Sequence, residues 1–378
     1  MHIKYITNVR IPTARAHGYA IMKMCSEFAK AGVETELYVP ERGNNDNKKD
    51  PFDHYKIERN FEIKRIPSFD LLGRTLKFGR IFYWIDIVSF LLTSKLKMNL
   101  ESKDILYTRD FLATIFLSGK ALTVLELHYI PNIKFFFNLA IKKAERFVVL
   151  NSNIKNILTD LGVDEKKVLI SPSGVDLSRF IGTAIKKEIK GIGGGDFVYG
   201  YIGTLKTMGM EKGVDDSLKA LSLLPLNYKF LIVGGEIEDV EYYKKMAEDF
   251  GVSDRAIFIG QVSQTEVAGY IMQCNALVAP YPENEHYSYF MSPLKIFEYM
   301  ASKKPIIGSN LPSIREVLTN GENAILIPPS DPQALANAII RLKENLEYAA
   351  AIAERAFEEV QKYTWKKRVE NILRFIRI

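Results

Sequence analysis

Apolar residues in the second half of this chain fall into two alternating rhythms. Short unbroken runs, FVYGYIG (197–203), KFLIVGG (229–235), AIFIGQV (256–262), ALVAPY (276–281), PIIGSN (305–310) and AILIPP (324–329), read as buried strands. Amphipathic stretches near 214–224, 242–250, 264–274, 293–302 and 313–319 read as helices between them. Asp331-Pro332 starts a further helix, with the aspartate as N-cap and the proline at the first helical position. Strand–helix alternation of this kind predicts a parallel sheet covered on both faces.

The first half repeats the pattern more loosely, with strands expected at 2–8, 34–40, 62–67, 105–110, 122–128, 146–151 and 168–172. GYAIMKMCSEFAKAG, Gly18 to Gly32, predicts a helix with glycine at its far end. Glu41 to Asp53 is polar and reads as a loop. Segment 181–196 has no consistent period, and its Gly193-Gly194-Gly195 run reads as the joint between two halves. No fixed 20–50-residue repeat is present. The chain therefore reads as two doubly wound α/β domains in series. Ligands of such sheets bind outside the carboxyl ends of the strands. Gly203-Thr204, Gly234-Gly235-Glu236, Gly260-Gln261 and Tyr281-Pro282-Glu283 all fall there, although α/β turns are glycine-rich in any case.

One residue breaks the pattern. In MSPLKIFEYMASKKPIIGSN (291–310), Ser292 reads as an N-cap and Pro293 as the first helical residue, and Leu294, Phe297 and Ala301 mark an apolar face. Glu298 lies about 40° from Leu294 on that inward face. A carboxylate there costs several kcal/mol unless it is paired or hydrogen-bonded.

Composition narrows the field. At 378 residues the length suits two domains. A net charge of +6, from 51 basic and 45 acidic residues with no dense basic block, argues against a nucleic-acid partner. It is compatible with an anionic ligand or weak peripheral contact with an anionic membrane. Two distant cysteines, Cys25 and Cys274, point to a reducing, cytoplasmic compartment, at most at the inner face of its membrane. The opening MHIKYITNVRIP is no signal peptide. IFYWIDIVSFLL (81–92) is too short to span a bilayer and carries Asp86, so a buried helix or strand edge is expected there rather than a surface-docking helix. The five histidines form no metal-spaced pair, and neither a G-x-G-x-x-G after the first strand nor a G-x-S-x-G elbow is present.

Five segments carry a resemblance: RIPTARAHGYAIMKMCSEFAKAG, VLELHYIP, VLISPSGVDLSRF, YGYIGTLKTMGMEKGVDDSLKAL, and SPLKIFEYMASKKPIIGSNLPSIREVLTNGENAILIPPSDPQALANAI. In this order they resemble the retaining glycosyltransferases of family 4, in the subset with an S-P-L-K-x-F-E-Y-M-A donor motif. The resemblance implies the GT-B fold, two Rossmann-like domains facing each other across a cleft. Residues 1–180 would bind the acceptor, 181–196 would link, 197–360 would bind a nucleotide-diphosphate sugar, and 361–378 would return as a helix to the first domain. The activity implied is transfer of the sugar to a glycan, lipid-linked or small-molecule hydroxyl with retention of configuration. The donor half has no Asp-x-Asp ligand pair beside its cationic loop, so no metal or other cofactor is expected. Two departures stand out. The family's first glutamate, eight residues before Glu298, is Phe290, and the arginine usual after the phosphate-loop glycine is Thr204.

By resemblance Glu298 binds ribose hydroxyls, which suits a carboxylate that only accepts; the plain alternative is a structural glutamate paired with Lys295 or a backbone amide. Lys212, before Gly213 and a helix, would stabilise the leaving diphosphate, against the ordinary fate of an exposed loop lysine. Gly203, Thr204, Lys206, Gly260 and Gln261 line the expected donor turns, Lys206 being the weaker cation. The backbone from Met291 through Ser292 to Leu294 offers helix-start amides. His128 would meet the donor sugar and act in catalysis with Lys212. His17 would touch diphosphate or acceptor, and Gly18 would let a ligand approach the backbone. Glu126 shares the side of His128 and reads as a second partner or acceptor contact. Rival activities are a sugar-nucleotide epimerase, a non-catalytic sugar-nucleotide binder, and a nicotinamide dehydrogenase, the last disfavoured by the missing glycine fingerprint.

Overall fold

A computed structural model of the chain describes residues 1–13, 15–43, 50–71, 79–180, 189–207 and 209–377. Part of the polar loop (44–49) and the first half of the joint (181–188) lie outside the described residues. The chain forms two compact units, Met1–Pro172 with Trp365–Ile378, and Ser173–Thr364.

The first unit alternates strands and helices in the order β1 His2–Ile6, α1 Ala16–Lys30, β2 Glu34–Glu41, α2 Pro51–Tyr55, β3 Glu62–Pro67, α3 Gly79–Lys97, β4 Asp104–Thr108, α4 Phe111–Leu117, β5 Leu122–Leu127, α5 Lys134–Lys143, β6 Arg146–Val149, α6 Ser152–Asp160 and β7 Val168–Ile170. Its seven strands are all parallel, in the order β3-β2-β1-β4-β5-β6-β7. Gly32 ends α1 as the sequence predicts. Its φ of +78° lets the Val33 amide turn back to the Phe28 carbonyl at 3.1 Å.

The second unit contains β8 Phe197–Ile202, a short hairpin of β9 Lys206–Thr207 and β10 Met210–Glu211, then α7 Val214–Ser222, β11 Tyr228–Val233, α8 Ile237–Asp249, β12 Ala256–Gly260, α9 Val267–Gln273, β13 Ala276–Ala279, α10 Leu294–Ala301, β14 Ile306–Ser309, α11 Pro312–Arg315, β15 Ile325–Ile327, α12 Pro332–Glu344 and α13 Leu346–Val360. The main sheet is parallel, ordered β12-β11-β8-β13-β14-β15. Both faces of β8 are buried: Tyr199 and Tyr201 belong to one core layer, Val198 and Ile202 to the other. This is why the strand reads as an unbroken apolar run. Asp331 caps α12 through the Ala334 amide, 2.8 Å away, with Pro332 at the first helical position. The last helix, α14 Trp365–Ile376, belongs to the first unit.

Three local expectations differ. Residues 173–180 lie in the second unit and not in the first, because Val175 and Phe180 are buried in the core of the second; the return to the first comes at Trp365. Ser292 does not cap α10. The helix begins at Leu294 without a side-chain cap, and the Ser292 hydroxyl instead accepts the Ser173 amide at 3.1 Å. Stretch 81–92 is helical but only half buried. Ile87, Phe90 and Leu91 enter the core, whereas Ile81, Ile85, Val88, Leu92 and Leu96 stay exposed.

Candidate functional site

In the second unit the strand order reverses at β8, whose neighbours are β11 and β13. This switch point is where an open α/β sheet leaves a crevice beyond its strand ends. Gly203 follows β8 at φ +144°, and its amide bonds to the Val233 carbonyl at 2.8 Å. A Cβ at Gly234 would run into the Gly203 carbonyl, and one at Gly213 into the Pro280 carbonyl just after β13. Glycine is therefore required where these turns press together. Gly260 closes β12 at φ +76° and accepts the Gly234 amide at 2.7 Å, with Gln261 exposed beyond it.

Lys212 stands in the same place. It is buried, and its ammonium donates to the Thr204 hydroxyl at 2.6 Å. Burial holds its pKa down to about 8. Among the described residues it has no carboxylate partner. Lys206, the weaker candidate, is turned elsewhere: it pairs with Asp239 at 3.4 Å and lies 4.2 Å from the centre of the Tyr242 ring. Met291 is buried, and Ser292 and Leu294 lead into α10 half-buried.

Glu298 is paired, but not with Lys295. Its Oε1 accepts from Arg179 at 3.0 Å and from the Gln264 side chain at 3.2 Å, and Arg179 also bonds to the Gln264 carbonyl. These bonds offset the cost of an inward carboxylate. Its Oε2 has no partner among the described residues and remains as an acceptor. Arg179 and Gln264 escaped the sequence reading because they lie 119 and 34 residues away in the chain.

The first unit holds a second polar cluster, at the end of β5. Glu126 is fully buried and receives His128 Nε2 at 2.6 Å, Arg109 at 3.0 Å, Arg368 of α14 at 2.8 Å and the Tyr107 hydroxyl. Burial works against its charge, but Arg109 and Arg368, with the His128 bond, hold the carboxyl well below its ordinary range. An ionised carboxylate only accepts, so His128 presents Nε2–H to Glu126 and leaves Nδ1 as an acceptor. Burial of the ring and the charge of Arg109 hold His128 down to about 4, outweighing Glu126, whose charge two arginines already balance. A third of the His128 side chain stays accessible, enough for a ligand to reach it. His17 is exposed at the start of α1.

Gly18 does not open the backbone to a ligand. A Cβ there would meet the Tyr55 hydroxyl and the Thr13 methyl, and Tyr55 bonds to both the amide and the carbonyl of Thr13 at 2.7 Å. Its role is packing. Among the described residues no group of three His, Cys, Asp or Glu side chains is arranged to hold a metal ion.

Residues 183–359 match the family model described as "Glycosyl transferases group 1". An uncharacterized glycosyltransferase of Methanocaldococcus jannaschii is 24% identical over 344 residues, covering 82% of this chain and 83% of that protein. Among solved structures, sucrose-phosphate synthase from Thermosynechococcus elongatus aligns with a TM-score of 0.78 at 18% identity, over 99% of this chain and 98% of that one. Anabaena HepE, solved in complex with UDP and glucose, aligns with a TM-score of 0.74 at 16% identity, over 100% and 99%. The two parallel-sheet Rossmann-like units are thus those of the GT-B fold, and residues 183–359 are similar in sequence to the group 1 glycosyltransferases.

Proposed function

We propose that this protein transfers a sugar from a nucleotide-diphosphate donor to an acceptor hydroxyl with retention of configuration. The observation that carries this reading is the cationic glycine turn at the switch point of the second unit, inside the segment that matches group 1 glycosyltransferases. Lys212 at the foot of α7 meets the diphosphate, and Glu298 Oε2 accepts from the ribose. In the first unit, His128 Nδ1 accepts from a sugar hydroxyl, and this unit takes the acceptor. The bond from the sugar's anomeric carbon to the phosphate oxygen breaks as the bond to the acceptor oxygen forms on the same face. The acceptor proton passes to the departing phosphate, so no enzymic nucleophile is needed. Buried lysine supplies the positive charge that a divalent cation would otherwise bring.

The test is turnover of a panel of UDP-, GDP- and ADP-sugars with simple alcohols and glycosides as acceptors, in excess EDTA. An α-linked product from an α-linked donor is expected, and Glu298→Gln should raise the donor KM while the fold persists. Absence of transfer with every donor rejects the reading, and a new sugar nucleotide formed without acceptor supports an epimerase instead. Loss of activity in EDTA with rescue by magnesium rejects metal independence.

The acceptor reading extends to a lipid surface. Ile81, Ile85, Val88, Leu92 and Leu96 recur on α3 at steps of four, three, four and four, within about 80° of arc. They form an exposed apolar stripe about 22 Å long. Lys95 and Lys97 end it, and α4 packs against both α3 and α5, where exposed Phe135 and Phe136 adjoin Lys134. Apolar residues beside lysines suit an anionic bilayer surface. No helix among the described residues is long and apolar enough to cross a membrane. Co-sedimentation with phosphatidylglycerol vesicles, but not phosphatidylcholine vesicles, is expected, and L92E should abolish it. Self-association without vesicle binding would assign the stripe to a second copy of the chain.

A further inference from the structure

Lys295 is an anomaly of the donor unit. It occupies the second position of α10, three residues before Glu298, where a helix would ordinarily place either an apolar residue inward or a lysine outward. Instead the lysine is inward and only 8% exposed. Its ammonium has no hydrogen-bond partner. The nearest groups are aromatic: the centre of the Tyr201 ring at 3.3 Å and that of Tyr281 at 5.5 Å. It stands beside the Gly203 turn, and a Cβ on that glycine would lie 3.2 Å from it.

A buried ammonium without a partner is costly, and proteins rarely retain one. The ring faces of Tyr201 and Tyr281 offset only part of that cost. Burial first, and then the neighbouring charge of Lys212, push its pKa well below the ordinary lysine value, against a weaker pull from Glu298. Lys212 on the loop before α7 and Glu298 on its own helix are thus the charged groups that act on it, with the phenols of Tyr201 and Tyr281 as the titratable groups facing it. Two lysines converge on one turn with no carboxylate between them. A site built in this way is incomplete until an anion arrives.

The position after Gly203, where the resembled family commonly has an arginine, is Thr204, and Thr204 accepts from Lys212 instead of supplying a cation. Lys206, three residues from Gly203, is held by Asp239 and Tyr242. Lys295 is the remaining cation at the turn among the described residues.

We propose that Lys295 is the second phosphate-binding cation of this protein, reaching across from α10 to the Gly203 turn and completing with Lys212 a two-lysine site for a diphosphate group. The proposal rests on the reading of the second unit as a nucleotide-sugar site. It adds that the missing arginine has been replaced from a different element. The Phe290 departure fits the same picture, because an apolar residue there adds no carboxylate to compete with the ligand for the two lysines.

The experiment is calorimetric titration of the full-length protein with inorganic pyrophosphate, UDP and GDP, alongside thermal melts, for the wild type, Lys295→Met and Lys206→Met. Methionine keeps the length and apolar stem of the side chain. Lys295→Met should weaken binding of pyrophosphate and of the preferred nucleotide at least tenfold. The ligand-free variant should melt at a higher temperature than the wild type, because an unpaired buried charge has gone. A purely structural lysine would give the reverse, a lower melting temperature. Lys206→Met should leave binding unchanged. Wild-type binding that Lys295→Met does not alter, or a variant that melts lower with unaltered affinity, overturns the assignment of Lys295 alone. Failure of the wild type to bind any of the three ligands overturns the nucleotide-sugar reading together with it.

Discussion

Lys212→Ala should lower kcat by about a hundred- to a thousandfold while raising the donor KM far less. Negative charge on the leaving phosphate grows as the sugar–oxygen bond breaks, so a fixed cation stabilises the transition state more than the bound donor. Removing one such contact typically costs about 3–4 kcal/mol. The structure adds a pH signature. Burial holds the Lys212 pKa down to about 8, so the free protein loses this cation as the pH rises through that value. Profiles of kcat/KM report ionisations of the free enzyme. They should fall above pH 8 in the wild type, and that limb should be missing from Lys212→Ala. Lys206→Ala should do little, because its ammonium is already engaged with Asp239 and Tyr242. Steady-state kinetics with circular dichroism as a folding control decide the matter. A folded Lys212→Ala enzyme with near-normal kcat would mean that the phosphate is held some other way.

The central strands β8, β11 and β14 were legible because they are buried on both faces and therefore appear as apolar runs; they fall within a residue or two of their expected bounds. The helices were less so. α8 begins at Ile237, five residues before the expected 242; its first turn carries Glu238 and Asp239, and Ile237 itself is exposed. The α3 stretch misled for the opposite reason. Its residues are apolar on the buried face and on the exposed one, so composition alone could not tell core from surface. In the site, glycine and lysine positions near strand ends could be placed from local pattern. Partners far apart in sequence could not: Arg368 lies 242 residues beyond Glu126, and nothing in the local sequence of either points to the other. Gly18 shows the limit of a motif. A glycine before a helix reads as room for a ligand, and only the position of Tyr55 reveals that the room is already filled.

The largest stability effect is expected at Glu126. This one carboxylate is the shared counter-charge of Arg109, whose side chain is 13% exposed, and of the buried Arg368, and it fixes His128. Glu126→Gln keeps the shape and one acceptor oxygen but leaves both guanidiniums without a counter-charge. Breaking a buried pair in this way costs about 3–5 kcal/mol, which for a unit of this size is a fall in melting temperature on the order of 10 °C. Acid does not reproduce the variant under mild conditions. A carboxyl held well below its ordinary pKa contributes its full stabilisation above the unfolded-state value and loses it only as pH falls toward the depressed one. Arg368→Met should cost less, since Arg109, Tyr107 and His128 still satisfy the carboxylate. The double variant Glu126→Gln/Arg368→Met should then be less destabilised than the sum of the two singles, because it removes one of the two stranded charges. Catalysis should follow the same cluster: the one amide oxygen left in Glu126→Gln is shared by Arg109, Arg368 and His128, its uncharged bond holds the His128 tautomer less firmly, and kcat should drop even at temperatures where the variant stays folded. Thermal melts of the four proteins give the coupling. A Glu126→Gln protein as stable as the wild type, or strict additivity in the double variant, would show that Arg109 and Arg368 do not depend on this carboxylate.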